Sequence, residues 1–312
     1  MILIVGAGSM ARAYAKVLEG EGVGFRVVTR GPAKAAAFIK ETGVKPETGG
    51  LERWLKSNPA PETAIVAVGA EALTKSALAL LAAGTKRLLV EKPVGLNVAE
   101  IRAVAAAARR RRAKVFVAYN RRFLTSTAEA RRMIAEDGGP LSFHFEFTEW
   151  DDKVVASPAA SAVKRAWVLA NSSHPIDLAF FLGGSPRSIS ATTAGSLPWH
   201  PKAAVFAGSG MAAGKVPFSY HANWLSPGRW SVEVMTARRR LVLRPLEALA
   251  VQNHGEFIAS PVVLDDRDDR LFKPGLRGQV RAFLSNGRDL PTISEQLALA
   301  RWLNRIASGE KK

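Results

Sequence analysis

The sequence predicts a doubly wound parallel α/β domain, followed by an α+β domain with a mostly antiparallel, open sheet. Three observations carry that prediction. Short, uninterrupted apolar runs alternate with helical stretches through the first ~120 residues. The first run passes straight into the turn Gly6-Ala7-Gly8-Ser9-Met10-Ala11. Beyond residue 140 the texture changes to period two, as LSFHFEFTEW over residues 141–150.

Residues 2–5 read as a buried strand and 10–19 as the helix that follows. Residues 25–29 are a strand, and 32–41 a helix with Pro32 in its first turn. Residues 64–68 are a strand, and 71–83 an Ala/Leu helix stopped by Gly84. Residues 87–90, 98–112 and 115–118 complete the series as strand, helix, strand. Continuous rather than alternating apolar strands belong where helices cover both faces of a parallel sheet. Residues 125–136 read as a helix ended by Gly138-Gly139-Pro140. Residues 141–150 form an antiparallel strand with one solvated face, 154–162 a loop, and 173–182 a helix. From 187 to about 263 the pattern is of β segments with Gly/Pro turns. Residues 279–285 and 295–306 are helical. The domains are expected at 1–120 and 121–312, with a closing helix, about 292–307, packing back on the first.

Composition narrows the function. The chain has 312 residues, 47% of them hydrophobic, which excludes a wholly disordered protein. It has no cysteine, which excludes a disulfide scaffold, thiolate catalysis and thiolate metal sites. The five histidines, at 144, 174, 200, 221 and 254, include no pair at ligand spacing, so no metal is expected. Lys and Arg total 44 against 27 Asp and Glu, a formal charge of +17. The basic residues fall in small separate groups (109–112, 121–122, 131–132, 238–240) with no nucleic-acid-binding signature. A diffuse positive field that attracts anionic cofactors and substrates is the expected use. The opening apolar run is far short of the ~20 residues that span a bilayer. It also lacks the basic flank of a signal peptide, so a cytoplasmic protein with no membrane partner is expected.

The opening turn fits a phosphate loop. Gly6 permits the tight turn, Gly8 lets the backbone approach a pyrophosphate, and small Ala11 lets the helix pack on the strand. Ser9 and Met10 begin a helix whose free N–H groups face the anion. The context, first strand then helix of a βαβ unit, is the one the motif requires. After the second strand an acidic residue would select NAD and a basic one NADP. Here the residues are Thr29-Arg30-Gly31, with Lys34 one turn on, so NADP is expected over NAD.

Together Gly6–Ala11, Glu91-Lys92-Pro93, Tyr119-Asn120-Arg121-Arg122-Phe123 and Ser173-His174-Pro175-Ile176-Asp177 resemble the glucose–fructose oxidoreductase / inositol dehydrogenase / rhizopine-catabolism (Gfo/Idh/MocA) family. The tail LPTISEQLALARWLNRI is similar to that family's closing helix. The resemblance implies an N-terminal Rossmann domain and a C-terminal domain that oligomerises through its open sheet. It also implies hydride transfer between a nicotinamide and a carbon–oxygen centre on a sugar, polyol or nucleotide sugar. Lys92, at the carboxyl end of a strand, is the expected proton donor or acceptor. His174 is a second proton carrier, and Asp177, three residues on, lies on the same helical face. Gly69, Glu91, Lys92 and Asn120 are expected to join the phosphate loop, Thr29, Arg30 and Lys34 in holding the cofactor. Tyr119, Arg121, Arg122, Asn171 and His174 are expected to meet a polar or anionic substrate. Trp167, Trp199, Trp224 and Trp230 read either as sugar-stacking rings or as packing. The chain departs from the family pattern at Ala170, where many members carry Asp, and at Gly69-Ala70-Glu71, where Pro-Asn is common. Those departures suggest an alternative, an NADP-binding regulator or sensor with a disabled site.

Overall fold

The computed structural model describes residues 1–309. It divides into two compact units, Met1–Asn120 with Asp268–Ala298, and Arg121–Arg267 with the chain from Leu299 onward.

The first unit holds five parallel strands, β1 (Ile2–Val5), β2 (Phe25–Val28), β3 (Thr63–Val66), β4 (Arg87–Glu91) and β5 (Lys114–Ala118), in the order β2-β1-β3-β4-β5. Ile4, Ile65, Leu89 and Val117 are buried from both faces, which explains the unbroken apolar runs. The connecting helices are α1 (Ser9–Gly20), α2 (Pro32–Thr42), α3 (Leu51–Ser57), α4 (Ala70–Ala83) and α5 (Val98–Arg111). Gly43 and Gly84 close α2 and α4 in the left-handed conformation. Asn97 caps α5 by accepting from the Glu100 backbone N–H at 2.9 Å. α3 was not expected; its seven residues bury only Leu51 and Trp54, too few to show a period.

The second unit begins with α6 (Thr125–Glu136) and β6 (Ser142–Phe147). Two short helices, α7 (Asp151–Ala156) and α8 (Ser161–Arg165), stand where a loop was expected over 154–162. Each buries one valine, Val154 or Val163, so neither carries an amphipathic signature. A π-helical turn, Val168–Ser172, runs into α9 (Ser173–Gly183). Strands β7 (Pro186–Ala194), β8 (Val205–Ala212), β9 (Pro217–Asn223), β10 (Trp230–Met235), β11 (Arg239–Leu243), β12 (Ala250–Asn253) and β13 (Ser260–Pro261) join β6 in an eight-stranded sheet. Its order is β13-β12-β11-β10-β6-β9-β8-β7, with β6 and β9 parallel and the other neighbours antiparallel. One face is buried: Phe143 and Phe145 meet Phe180 of α9 edge-on at 5.9 and 5.6 Å. Gly183 permits that approach, since a Cβ there would sit 2.2 Å from Phe143. On the opposite face Ser190, Thr192, Ser219 and His221 are exposed.

The chain then returns to the first unit as α10 (Arg267–Leu271) and α11 (Leu276–Leu284), and closes with α12 (Ile293–Ser308). Arg277 and Arg281 of α11 hold Glu21 at the end of α1 at 2.6 and 3.0 Å. The Val117 N–H donates to Pro291 O at 2.8 Å, laying this return alongside β5. Among the described residues no helix is long and apolar enough to cross a membrane.

Candidate functional site

The first unit presents its carboxyl strand ends where an open α/β sheet receives a ligand, and the strand order reverses between β1 and β3. Gly6 has φ +118°, and a Cβ there would lie 2.2 Å from the Ala67 carbonyl oxygen, so only glycine fits beside β3. At Gly8 a Cβ would meet nothing within 4 Å. The loop backbone is thus open on the side where α1 begins. Gly8 caps that helix without any side-chain hydrogen bond, and its first turn has no acidic residue. Ser9 is exposed and Met10 half-buried at the same end. The free N–H groups and open backbone fit a dinucleotide pyrophosphate. Gly69 begins α4 in the same uncapped way.

After β2, Thr29 is buried, and Arg30 and Lys34 are exposed. The segment is fixed by backbone bonds, Thr29 N–H to Glu47 O at 2.8 Å and Gly50 N–H to Thr29 O at 3.0 Å. The carboxylate of Glu47, whose backbone pairs with Thr29, is taken by Arg26 through two bonds of 2.9 Å and by the Trp54 indole at 3.1 Å.

At the end of β4 the Glu91 side chain turns inward. The Tyr14 hydroxyl donates to it at 2.7 Å, and the Gln279 amide donates to Tyr14 at 2.9 Å. Burial raises the Glu91 pKa, while Tyr14, Lys92 and Lys273 draw it back. Burial and the neighbouring carboxylate also push the Tyr14 pKa well up. Lys92 follows, half-buried, before a cis bond to Pro93. Beyond β5, Tyr119 is buried and Asn120 donates to Pro274 O at 2.7 Å. A groove of about 600 Å³ lined by Arg102, Arg109, Lys114 and Leu297 lies at the amino end of β5, the wrong end of the sheet for this site.

In the second unit, Asn171 stands in the π-helical turn and His174 in the first turn of α9. Such turns recur at functional sites. His174 is half-buried, its ring 5.9 Å from that of Trp230. Asp177 lies one turn on from His174 in α9, and its carboxylate is held bidentately by Arg122, Nε at 2.7 Å and Nη2 at 2.6 Å. Arg121 pairs with Glu247 at 2.7 Å. Asn171 donates to Glu149 at 3.1 and 3.2 Å. Trp224 and Trp230 are buried, so they pack within the unit; Trp199 stacks on Trp224 at 5.2 Å, and Trp167 meets Trp199 edge-on. Sequence reasoning missed Tyr14, Gln279 and Glu149. Glu149 had left a signal: it continues the odd-numbered phase of Phe143, Phe145 and Phe147, a carboxylate on an apolar face. Among the described residues no group of three or more His, Asp or Glu side chains is placed to hold a metal ion.

Residues 1–119 match the profile of the Gfo/Idh/MocA oxidoreductase family, NAD-binding Rossmann fold. No curated protein matches the chain. Among solved structures it is similar to an oxidoreductase from Agrobacterium radiobacter in complex with NAD+, L-tartaric acid and magnesium, with TM-score 0.81 and 14% identity over 100% of this chain and 96% of that one. It is also similar to levoglucosan dehydrogenase in complex with NADH and levoglucosan, at TM-score 0.79 and 17% identity over 99% and 96% of the two chains. A third is UDP-N-acetylglucosamine 3-dehydrogenase from Acidithiobacillus ferrooxidans, at TM-score 0.77 and 14% identity over 99% and 96%. Residues 1–119 thus match the NAD-binding Rossmann domain of the Gfo/Idh/MocA oxidoreductase family, and the whole chain carries the fold of the oxidoreductases it superposes on.

Proposed function

We propose that the chain is an NADP-dependent oxidoreductase acting on a sugar, polyol or nucleotide-sugar-like substrate. The carrying observation is the phosphate loop, with Gly8 open and the amino end of α1 uncapped. The sugar-directed names of the similar dehydrogenases support the substrate class. NADP is favoured because Thr29 and Arg30 follow β2 and the carboxylate of Glu47 is spent on Arg26. When bound, the nicotinamide accepts or supplies the hydride. Gly6, Gly8, Ser9 and Met10 hold the pyrophosphate, and Arg30 with Lys34 faces the 2′-phosphate. Gly69, Glu91 and Asn120 complete the cofactor's surroundings, the last two through backbone, since their side chains bond Tyr14 and Pro274. Lys92 takes the substrate hydroxyl proton, or returns it on reduction. His174 assists that transfer or orients the substrate, with Asn171 and Tyr119 beside the polar groups. Asp177 acts by holding Arg122, which with Arg121 faces anionic groups of the substrate. The same reading has the protein cytoplasmic and homo-oligomeric through the open face of the eight-stranded sheet, which light scattering tests.

Titration calorimetry with NADP+ and NAD+ tests the cofactor. NADP+ is expected to bind at least about tenfold tighter, with the preference lost in Arg30→Ala, a difference of ~1.4 kcal/mol. A clear preference for NAD+ refutes the NADP assignment, and no binding of either refutes the function. Binding without turnover on a panel of sugars, polyols and nucleotide sugars would replace the enzyme with an NADP-binding sensor.

A further inference from the structure

We propose that Glu149 is a positioning residue that fixes His174 for the reaction through Asn171, Ser172 and Trp230. The inference rests on the role given above to His174.

Glu149 follows β6 and is 3% exposed. Its two oxygens gather donors from two distant parts of the second unit. From the π-helical turn come Asn171 Nδ2, at 3.1 and 3.2 Å, and Ser172 Oγ, at 2.8 Å. From the start of β10 comes Trp230 Nε1, at 3.2 Å, with the Arg229 guanidinium further off at 3.8 Å. Most of these donors are neutral. Burial raises the carboxyl pKa, and Ser172, Arg229 and Asn171 draw it down. A carboxylate here costs solvation that an apolar side chain in the same register would not. Packing alone therefore does not account for it.

The donors are the two supports of His174. Asn171 and Ser172 belong to the turn that delivers its backbone, and Trp230 is the ring its imidazole packs against, at 5.9 Å. One carboxylate ties the turn to the ring. A π-helical turn is a rare, single-turn departure from the α-helix that recurs at functional sites, and here its Asn171 and Ser172 side chains are both bonded to Glu149. Without it, both supports relax and the imidazole loses its fixed place, while α9, anchored by Phe180 on the sheet, stays put.

The test compares Glu149→Ala and Glu149→Gln with the parent protein in ring-labelled histidine NMR, recorded with NADP+ alone, and in steady-state kinetics. His174 signals are assigned with His174→Ala. Glu149→Ala is expected to shift and broaden the His174 ring signals, leave those of His144 and His221 in place, and lower kcat by about 10–100-fold, the scale of a misplaced group. NADP+ affinity should stay within about twofold, because the phosphate loop is built only from the first unit. Glu149→Gln, which keeps one acceptor oxygen and the side-chain volume, should recover much of the rate and an intermediate His174 shift. It also decides the matter if the alanine variant fails to fold. Unmoved His174 signals with unchanged kcat in either folded variant overturn the proposal. If His174→Ala itself keeps full kcat, the functional reading fails instead.

Discussion

Glu91 in the first unit and Glu149 in the second are both buried carboxylates; Glu91 precedes Lys92 in the chain, and Glu149 bonds the turn that leads into His174 and the ring His174 packs against. They are held differently. Glu91 takes the Tyr14 hydroxyl, which is backed by Gln279, and the Lys92 backbone N–H; the side-chain contacts join β4, α1 and α11, all regular elements of the scaffold. Glu149 takes its donors from an irregular turn and from the first residue of a strand. The contrast separates two kinds of site building. On the function proposed, the first unit's site stands on the strand ends of a packed sheet, and disturbing its support should cost stability. The second unit's part stands on a π-helical turn, and disturbing its support should cost placement.

The largest effect belongs to Lys92, which sits next to the scaffold carboxylate. Lys92→Ala is expected to lower kcat by about 10²–10⁴-fold, the usual worth of a positioned acid or base, with thermal stability little changed. A variant with full activity on a verified substrate would remove the role. The comparison would then reduce to Glu149 and His174, since only the second unit would still contribute a proton carrier.

The phosphate loop sharpens the distinction within seven ångströms of backbone or so, at two glycines of opposite kind. Gly6→Ala places a methyl against the Ala67 carbonyl in a backbone conformation hostile to a side chain. A loss of at least about 3 kcal/mol in chemical denaturation is expected. Gly8 has φ −78° and empty space around it. Gly8→Ala should leave the unliganded stability within about 1 kcal/mol of the parent. It should also weaken NADP+ binding tenfold or more, because the methyl occupies the ligand's side of the loop. Equal losses of stability in both variants would mean that the loop is only a turn.

What was legible in the sequence follows the same division. The phosphate loop and the strand ends are each encoded within a few consecutive residues, so local pattern exposes them. Asp177 was expected to serve the face of α9 that carries His174. The i, i+3 spacing is correct, but spacing cannot foresee Arg122 arriving from 55 residues upstream to hold the carboxylate. Glu149 reads as one more polar residue at the end of an alternating strand until the π-helical turn and Trp230 converge on it. The same limit hid the return of α11 to the first unit, where it meets α1 through Glu21; only the closing helix, about 292–307, was expected there. No local period records which sheet a helix will find.

The smallest expected effect tests the scaffold carboxylate through pH. The Glu91 pKa is raised by burial, so the folded protein binds a proton more readily than the unfolded chain. Stability contributed by this group is therefore full below the unfolded pKa and declines as pH rises toward the folded value. The Tyr14 hydroxyl opposes that decline, because its bond favours the ionised form. Tyr14→Phe deletes the donor, leaves Gln279 without its acceptor, and opens almost no cavity. The ionised carboxylate then loses its neutral partner, at a cost of about 1–3 kcal/mol, and the folded pKa climbs further. The cost is avoided wherever Glu91 can take up a proton. Denaturation midpoints of parent and variant should differ by a fixed amount near pH 5, where the buried Gln279 amide has lost its acceptor, and separate further toward pH 8, with NADP+ affinity preserved. A gap that stays constant with pH would place Tyr14 in packing alone, and Glu91 would then be held by Lys92 and Lys273 rather than by the scaffold.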